Sequence, residues 1–168
     1  MKKNVLLSYD ESCGCLGNFS KDVFPYPVAY TDGFVSRLKS SAQGRTPWGF
    51  LIKGYIVSIN PPKQEMTHAM AVDYCNNQMF AGSKCCMLPR GVLIIMMKNL
   101  QEINQMIFEL GSEPLESRWY MAGRDCWIDE SHSLYNKIYG VHPHYLYVGT
   151  IKTYNEHDQC LFFPAIKV

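Results

Sequence analysis

The middle of the chain carries one helical stripe, and that stripe constrains where everything else can go. Leu100, Ile103, Met106, Ile107 and Leu110 recur at i, i+3, i+6, i+7 and i+10, which lines them along one face of a helix. Gly111 follows where a left-handed C-cap residue belongs. Pro89 to Leu110 therefore reads as two helical turns and then a longer helix. Upstream, Met66, Ala69, Met70, Tyr74 and Cys75 recur near helical spacing, predicting a helix over Met66–Phe80 that starts near Glu65 or Thr67 and closes at Gly82-Ser83.

Both flanks have the chemistry of strands. Asn4–Ser8 reads as a short strand. Phe24–Tyr30 holds two prolines, Pro25 and Pro27, which predicts an edge strand at best. Trp48–Ile59 is rich in aromatic and β-branched residues and reads as a strand or hairpin bent at Gly54. After Gly111, Trp119-Tyr120-Met121, Cys126-Trp127-Ile128, Tyr145-Leu146-Tyr147-Val148 and Cys160-Leu161-Phe162-Phe163 read as further short strands between turn residues. Helices in the middle and strands at both ends predict an α+β fold. Two central helices would pack on one side of an antiparallel sheet built from N- and C-terminal strands, with irregular late loops.

At 168 residues the chain has the size of one domain, expected to span 1–168, and can bury a core without disulfide or metal. Hydrophobic residues at 47% against charged residues at 18% exclude a disordered chain. A net charge of +1 without a basic run gives no footprint for nucleic acid. The apolar stretch behind Lys2-Lys3 is only Val5-Leu6-Leu7, short of the core of a secretory signal, and no window approaches a membrane-spanning length. A cytoplasmic or phage-associated location is expected, and the seven cysteines are expected as free thiols, mostly buried.

The run Ala69-Met70-Ala71-Val72-Asp73-Tyr74-Cys75, then Gly82-Ser83 and Met87-Leu88-Pro89-Arg90-Gly91, resembles the "A…YC…G…LP" run of a bacterial domain family. Those domains have the C-type-lectin-like fold of the formylglycine-generating-enzyme superfamily. Asn99-Leu100-Gln101-Glu102-Ile103-Asn104 is similar to the "NLxEIN" helix of gut-bacterial members. Tyr30-Thr31-Asp32-Gly33 with Thr46-Pro47-Trp48-Gly49 resembles their opening, and Phe162 to Val168 their closing strand. The resemblance covers about residues 26–168. It departs at Arg90-Gly91-Val92-Leu93, where the family has Ser or Thr and then Glu, at Trp119–Arg124 in place of "YWSSTE", and at Phe163 and Ile166 in place of two arginines. It therefore implies the fold but transfers no polar site.

The candidate sites divide by chemistry. Cys126 is the position a redox thiol would take by the same resemblance, with Cys160 reachable only through the fold. Cys13-Gly14-Cys15 and Cys85-Cys86 lack the two-to-four-residue ligand spacing of zinc sites. The His142-Pro143-His144 run, with His132 and His157, is better read as surface histidines on an extended segment. Asp125, Asp129, Glu130 and His132 alternate with large apolar residues, which suits a half-buried strand better than a calcium loop. No phosphate loop, His-Glu-x-x-His pattern or nucleophile elbow is present, so no catalytic residue, metal or cofactor is assigned.

What remains is a late segment, residues 118–145, rich in aromatic and polar side chains. Trp119, Tyr120, Arg124, Trp127, His132, Tyr135, Tyr139, His142, His144 and Tyr145 form the expected ligand-binding pool. For Trp119 and Trp127 a place in the core is the favoured reading. The reading is a non-enzymatic recognition domain for a glycan or a protein. The alternatives are a structural component of a phage particle or surface appendage, and a Cys-dependent metal-binding, oxidase-like protein.

Overall fold

A computed structural model describes residues 6–14, 21–123, 138–148 and 152–168, with the side chains of 147 and 148 excepted. The fold is α+β. In chain order the strands are β1 (Ser8–Tyr9), β2 (Val23–Tyr30), β3 (Phe34–Leu38), β4 (Pro47–Ile52), β5 (Tyr55–Ser58), β6 (Met79–Phe80), β7 (Ser83–Lys84), β8 (Cys86–Met87), β9 (Tyr120–Met121), β10 (Ile138–Val141), β11 (Lys152–Tyr154), β12 (Leu161–Phe162) and β13 (Pro164–Lys167). Three α-helices lie between β5 and β9: α1 (His68–Asn76) and, after β8, α2 (Arg90–Lys98) and α3 (Leu100–Glu109). Among the described residues no helix is long and apolar enough to cross a membrane.

The main sheet has seven strands in the order β1-β3-β2-β4-β5-β13-β8. The last strand thus inserts beside β5, pairing Ala165 with Val57 and Ile166 with Ile56, so the two extremities of the chain share one sheet. A four-stranded sheet, β11-β10-β9-β12, and the β6–β7 hairpin complete the set. Most pairs are antiparallel, but β1–β3 and β9–β12 run parallel, a mixture the expectation of an antiparallel sheet did not contain.

Both faces of the main sheet are buried, which corrects the one-sided packing expected from sequence. Val28, Phe50, Val57 and Ala165 pack with Leu93, Met96, Ile103, Met106 and Ile107 of α2 and α3. Their neighbours Ala29, Ile56 and Ile166 pack with Ala71 and Cys75 of α1 and with Phe80, Met121 and Phe162. Successive strand residues point to opposite faces, so one run of apolar residues supplies both layers. The stripe on α3 meets the first layer. Its C-cap is a Schellman motif: Gly111 N donates to Phe108 O at 2.9 Å and Ser112 N to Ile107 O at 3.1 Å, with Gly111 at φ +77°.

Strand β2 lies inside the sheet, between β3 and β4, and not at an edge. Val23 pairs with Leu38 and Val28 with Ser36, so Phe24 to Pro27 bulge opposite Arg37 alone. The prolines therefore occupy a stretch with no ladder hydrogen bond to lose. The Arg37 guanidinium Nε donates to Phe24 O at 2.9 Å across this gap. A second bulge places Trp48 between Gly49, which pairs with Ala29, and Pro47, which pairs with Tyr30. It turns Trp48 to the face opposite Phe50, where its ring stacks on Phe80 at 4.1 Å.

The helix expected over Met66–Phe80 is shorter. Thr67 caps it, accepting from Met70 N, and it ends at Asn76. Met79 and Phe80 instead open a hairpin turned by Ala81 and Gly82, both left-handed, as Lys53 and Gly54 turn the β4–β5 hairpin. Tyr145–Val148 forms a 3-10 turn and not a strand.

Candidate functional site

The second sheet brings part of the late segment together. Trp119 immediately precedes β9, and His142 follows β10, the strand paired to β9. Pro143 and His144 turn the chain into the 3-10 turn that starts at Tyr145. The Trp119 and Tyr145 rings stack at 5.2 Å with planes 18° apart. His142 lies 5.4 Å from Trp119 and 5.1 Å from Tyr145, and His144 lies 5.3 Å from Tyr145. Tyr145 and His144 are exposed, whereas Trp119 and His142 are half-buried.

Two residues absent from the expected pool complete this cluster. On β11, the Lys152 ammonium lies 4.9 Å from the Tyr154 ring centre and 5.9 Å from that of Trp119. They reach Trp119 only through the pairing of β11 with β10 and of β10 with β9. The available sequence signal was the strand-like Ile151-Lys152-Thr153-Tyr154 ahead of the turn residues Asn155 to Asp158.

The other pool residues go elsewhere. Tyr120 is core: it alternates with Trp119, stacks on Phe163 at 4.3 Å and donates its hydroxyl to Glu116 O at 2.9 Å. Burial pushes its phenol up to about 12. Tyr139 sits under the Arg90 guanidinium of α2 at 4.5 Å, away from the cluster. Arg124, Trp127, His132 and Tyr135 lie outside the described residues, as do Asp125, Cys126, Asp129 and Glu130.

The histidine pair stands at a turn and not on the extended segment expected. His144 N donates to His142 Nδ1 at 3.0 Å, which commits one imidazole nitrogen, and the rings stand nearly perpendicular 6.4 Å apart. Burial, and after it the neighbouring His144, holds the His142 imidazole below its usual range. Among the described residues no group of three His, Cys, Asp or Glu could hold a metal ion.

Of the described thiols, Cys75, Cys85 and Cys86 lie near one another beside α1, and Cys13 and Cys160 lie elsewhere. Cys75, Cys85 and Cys160 are buried, Cys13 is half-buried and Cys86 is exposed. Burial pushes Cys75 up to about 12 and Cys85 up to about 11, and it raises Cys13 and Cys160 as well. Cys160 Sγ donates to Trp119 O at 3.1 Å, tying the cluster to β12.

A cavity of about 610 Å³ is an open groove between α3 and the β2–β3 pair. Its flexible charged side chains pair across it, as Lys39 does with Glu109 at 2.6 Å, and none of the expected residues lines it. A smaller recess of about 260 Å³ lies between the β4–β5 hairpin and the end of α1.

No family model matches this chain, and no curated protein or solved structure matches it either.

Proposed function

We propose that the chain is a non-enzymatic recognition domain of the C-type-lectin-like class, contacting a glycan or protein ligand through the cluster of Trp119, His142, His144 and Tyr145. The observation that carries this reading is the stacked Trp119–Tyr145 pair at 5.2 Å, bordered by two imidazoles and an ammonium. Stacked rings give flat contact area at low entropic cost, and the polar groups at their rim can orient a bound partner. The non-enzymatic side is supported by thiols that burial keeps protonated and by an imidazole whose Nδ1 is already taken. The lectin-like side is supported by the insertion of the final strand beside β5 in the sheet of the N-terminal strands.

A glycan array probed with the purified chain and with the Trp119→Ala/Tyr145→Ala double variant tests this. Glycans bound by the parent and released by the double variant are expected. Equal binding by the two proteins would refute the assignment to this cluster, and a silent array would refute a glycan ligand.

A further inference from the structure

The recess between the β4–β5 hairpin and the end of α1 shares no residue with the aromatic cluster. Three features of its wall point the same way. Hydrogen-bonding side chains converge on it from four directions: Thr31 from the β2–β3 turn, Thr46 from the start of β4, Asn60 from beyond β5, and Tyr74 and Gln78 from α1 and its end. Among the described residues none of these five side chains has a hydrogen-bond partner in the protein, whereas the Oγ of a sixth lining residue, Ser58, accepts from Asn60 N at 3.2 Å. The lining contains no carboxylate, ammonium, guanidinium or imidazole.

The wall is also firm. Trp48 lines the recess and is braced by its parallel stack on Phe80, at 4.1 Å and 13°. Tyr74 is braced edge-on by Phe162 at 5.6 Å. Nearby backbone groups are already committed: Thr31 N donates to Thr46 O at 2.9 Å, Ile59 N to Trp48 O at 3.1 Å and Gln78 N to Cys75 O at 3.0 Å. A ligand would therefore meet side chains whose hydrogen bonds are still to be made, beside an indole fixed in place.

A charged ligand would find no counter-charge here, and a purely apolar one would desolvate five polar groups without replacing their water. At about 260 Å³ the space is below that of drug-sized ligands. We propose that this recess binds a small neutral hydroxylated ligand, a monosaccharide or the terminal unit of a chain, laid against Trp48 with its hydroxyls on Thr31, Thr46, Asn60, Tyr74 and Gln78. This site stands independently of the aromatic cluster.

Ligand-observed NMR titrations of the full chain with glucose, galactose, mannose, fucose and N-acetylglucosamine test it. At least one sugar binds saturably, with an affinity indifferent to added salt and to pH across the range where histidines titrate. Asn60 and Gln78 are exposed, so truncating them leaves the fold intact, as circular dichroism would verify. Asn60→Ala and Gln78→Ala each weaken binding about fivefold to tenfold, the loss of one hydrogen bond, and Trp119→Ala leaves it unchanged. Absence of saturable binding by all five sugars, or binding retained in the Asn60→Ala/Gln78→Ala double variant, overturns the proposal. Binding that survives the double variant but is lost in Trp119→Ala would belong to the aromatic cluster instead.

Discussion

Three glycines, each replaced by alanine, separate three physical effects that one added methyl can have. At Gly49, in β4 between β2 and β5, the methyl carbon would lie 2.2 Å from Val57 O and 2.9 Å from Val57 C. Backbone cannot rotate away as a side chain can. Strand β5 is held on its other edge by β13 and filled on both faces, so the pair must shift by about 1 Å to reach ordinary contact. That exceeds the usual 1–3 kcal/mol of overpacking, and we expect about 3 kcal/mol or more of destabilisation. At Gly111 nothing lies within 4 Å, but φ is +77°, so alanine meets only the left-handed backbone penalty of about 1 kcal/mol. At Gly91, exposed in the first turn of α2, nothing lies within 4 Å and φ is ordinary. Alanine there should stabilise by about 0.5 kcal/mol. Urea unfolding with a common m-value ranks the three, and for a chain of this size Gly49→Ala should lower Tm by roughly 6–12 °C. A Gly49→Ala midpoint within about 1 kcal/mol of the parent, or any order other than Gly91 above parent above Gly111 above Gly49, would refute the reasoning.

Further expectations follow from single groups. Asn104 clamps the segment after α3, with Nδ2 donating to Leu115 O at 3.0 Å and Oδ1 accepting from Leu115 N at 2.8 Å. Asn104→Ala orphans both backbone groups and should cost about 2 kcal/mol in urea unfolding. The raised thiols of Cys75 and Cys85 make the unfolded chain lose its protons first as pH rises. Their stability contribution is therefore complete below about pH 8.5 and declines above it, and the urea midpoint should fall on the alkaline side. Mass-spectrometric mapping after iodoacetamide should find Cys86 labelled in the native protein, and Cys75, Cys85 and Cys160 only once denaturant is added. His142, whose pKa is lowered, works in the opposite direction. The unfolded chain takes up its proton first, so stability is complete above about pH 6.5 and is lost as pH falls below it. His142→Asn should flatten that acid-side slope of the urea midpoint, and an unchanged slope would assign it to other groups.

The parts of the fold legible in the sequence are those set by local chemistry. The α3 stripe and its Gly111 cap depend on residues within three turns of one another, and each appears as expected. The β4–β5 hairpin is similarly local, with Lys53 and Gly54 forming its turn. Strand β2 was misplaced because a proline rule applies to regular ladders, and the bulge opposite Arg37 is not regular. The helix ending at Asn76 was overextended because an alanine gives no hint of a left-handed turn, yet Ala81 adopts φ 48°. Placing helices on one side failed for a subtler reason. A strand buried on both faces shows a continuous apolar run, as in Phe50-Leu51-Ile52 and Tyr55-Ile56-Val57, and such a run leaves open which layer covers which face.

The two candidate sites differ in legibility for the same reason. His142, His144 and Tyr145 are near in sequence, and a cluster of aromatic and imidazole residues can be read there before any fold is known. Tyr120 could have been removed from the pool by strand alternation alone, since Trp119 and Met121 face away from it. The recess at Trp48 is assembled from a turn, two strands and a helix end, and its polar residues are ordinary surface types in the sequence. What makes them a site is the bulge that reverses Trp48 and the stack on Phe80 that fixes it. Strand β12 stands behind both sites: Phe162 braces Tyr74 of the recess and pairs with Met121 of β9, and Cys160 just before it holds Trp119. The side chains at the two proposed sites therefore rest on one strand of the core, the arrangement by which a packed scaffold fixes surface groups without ordering them anew.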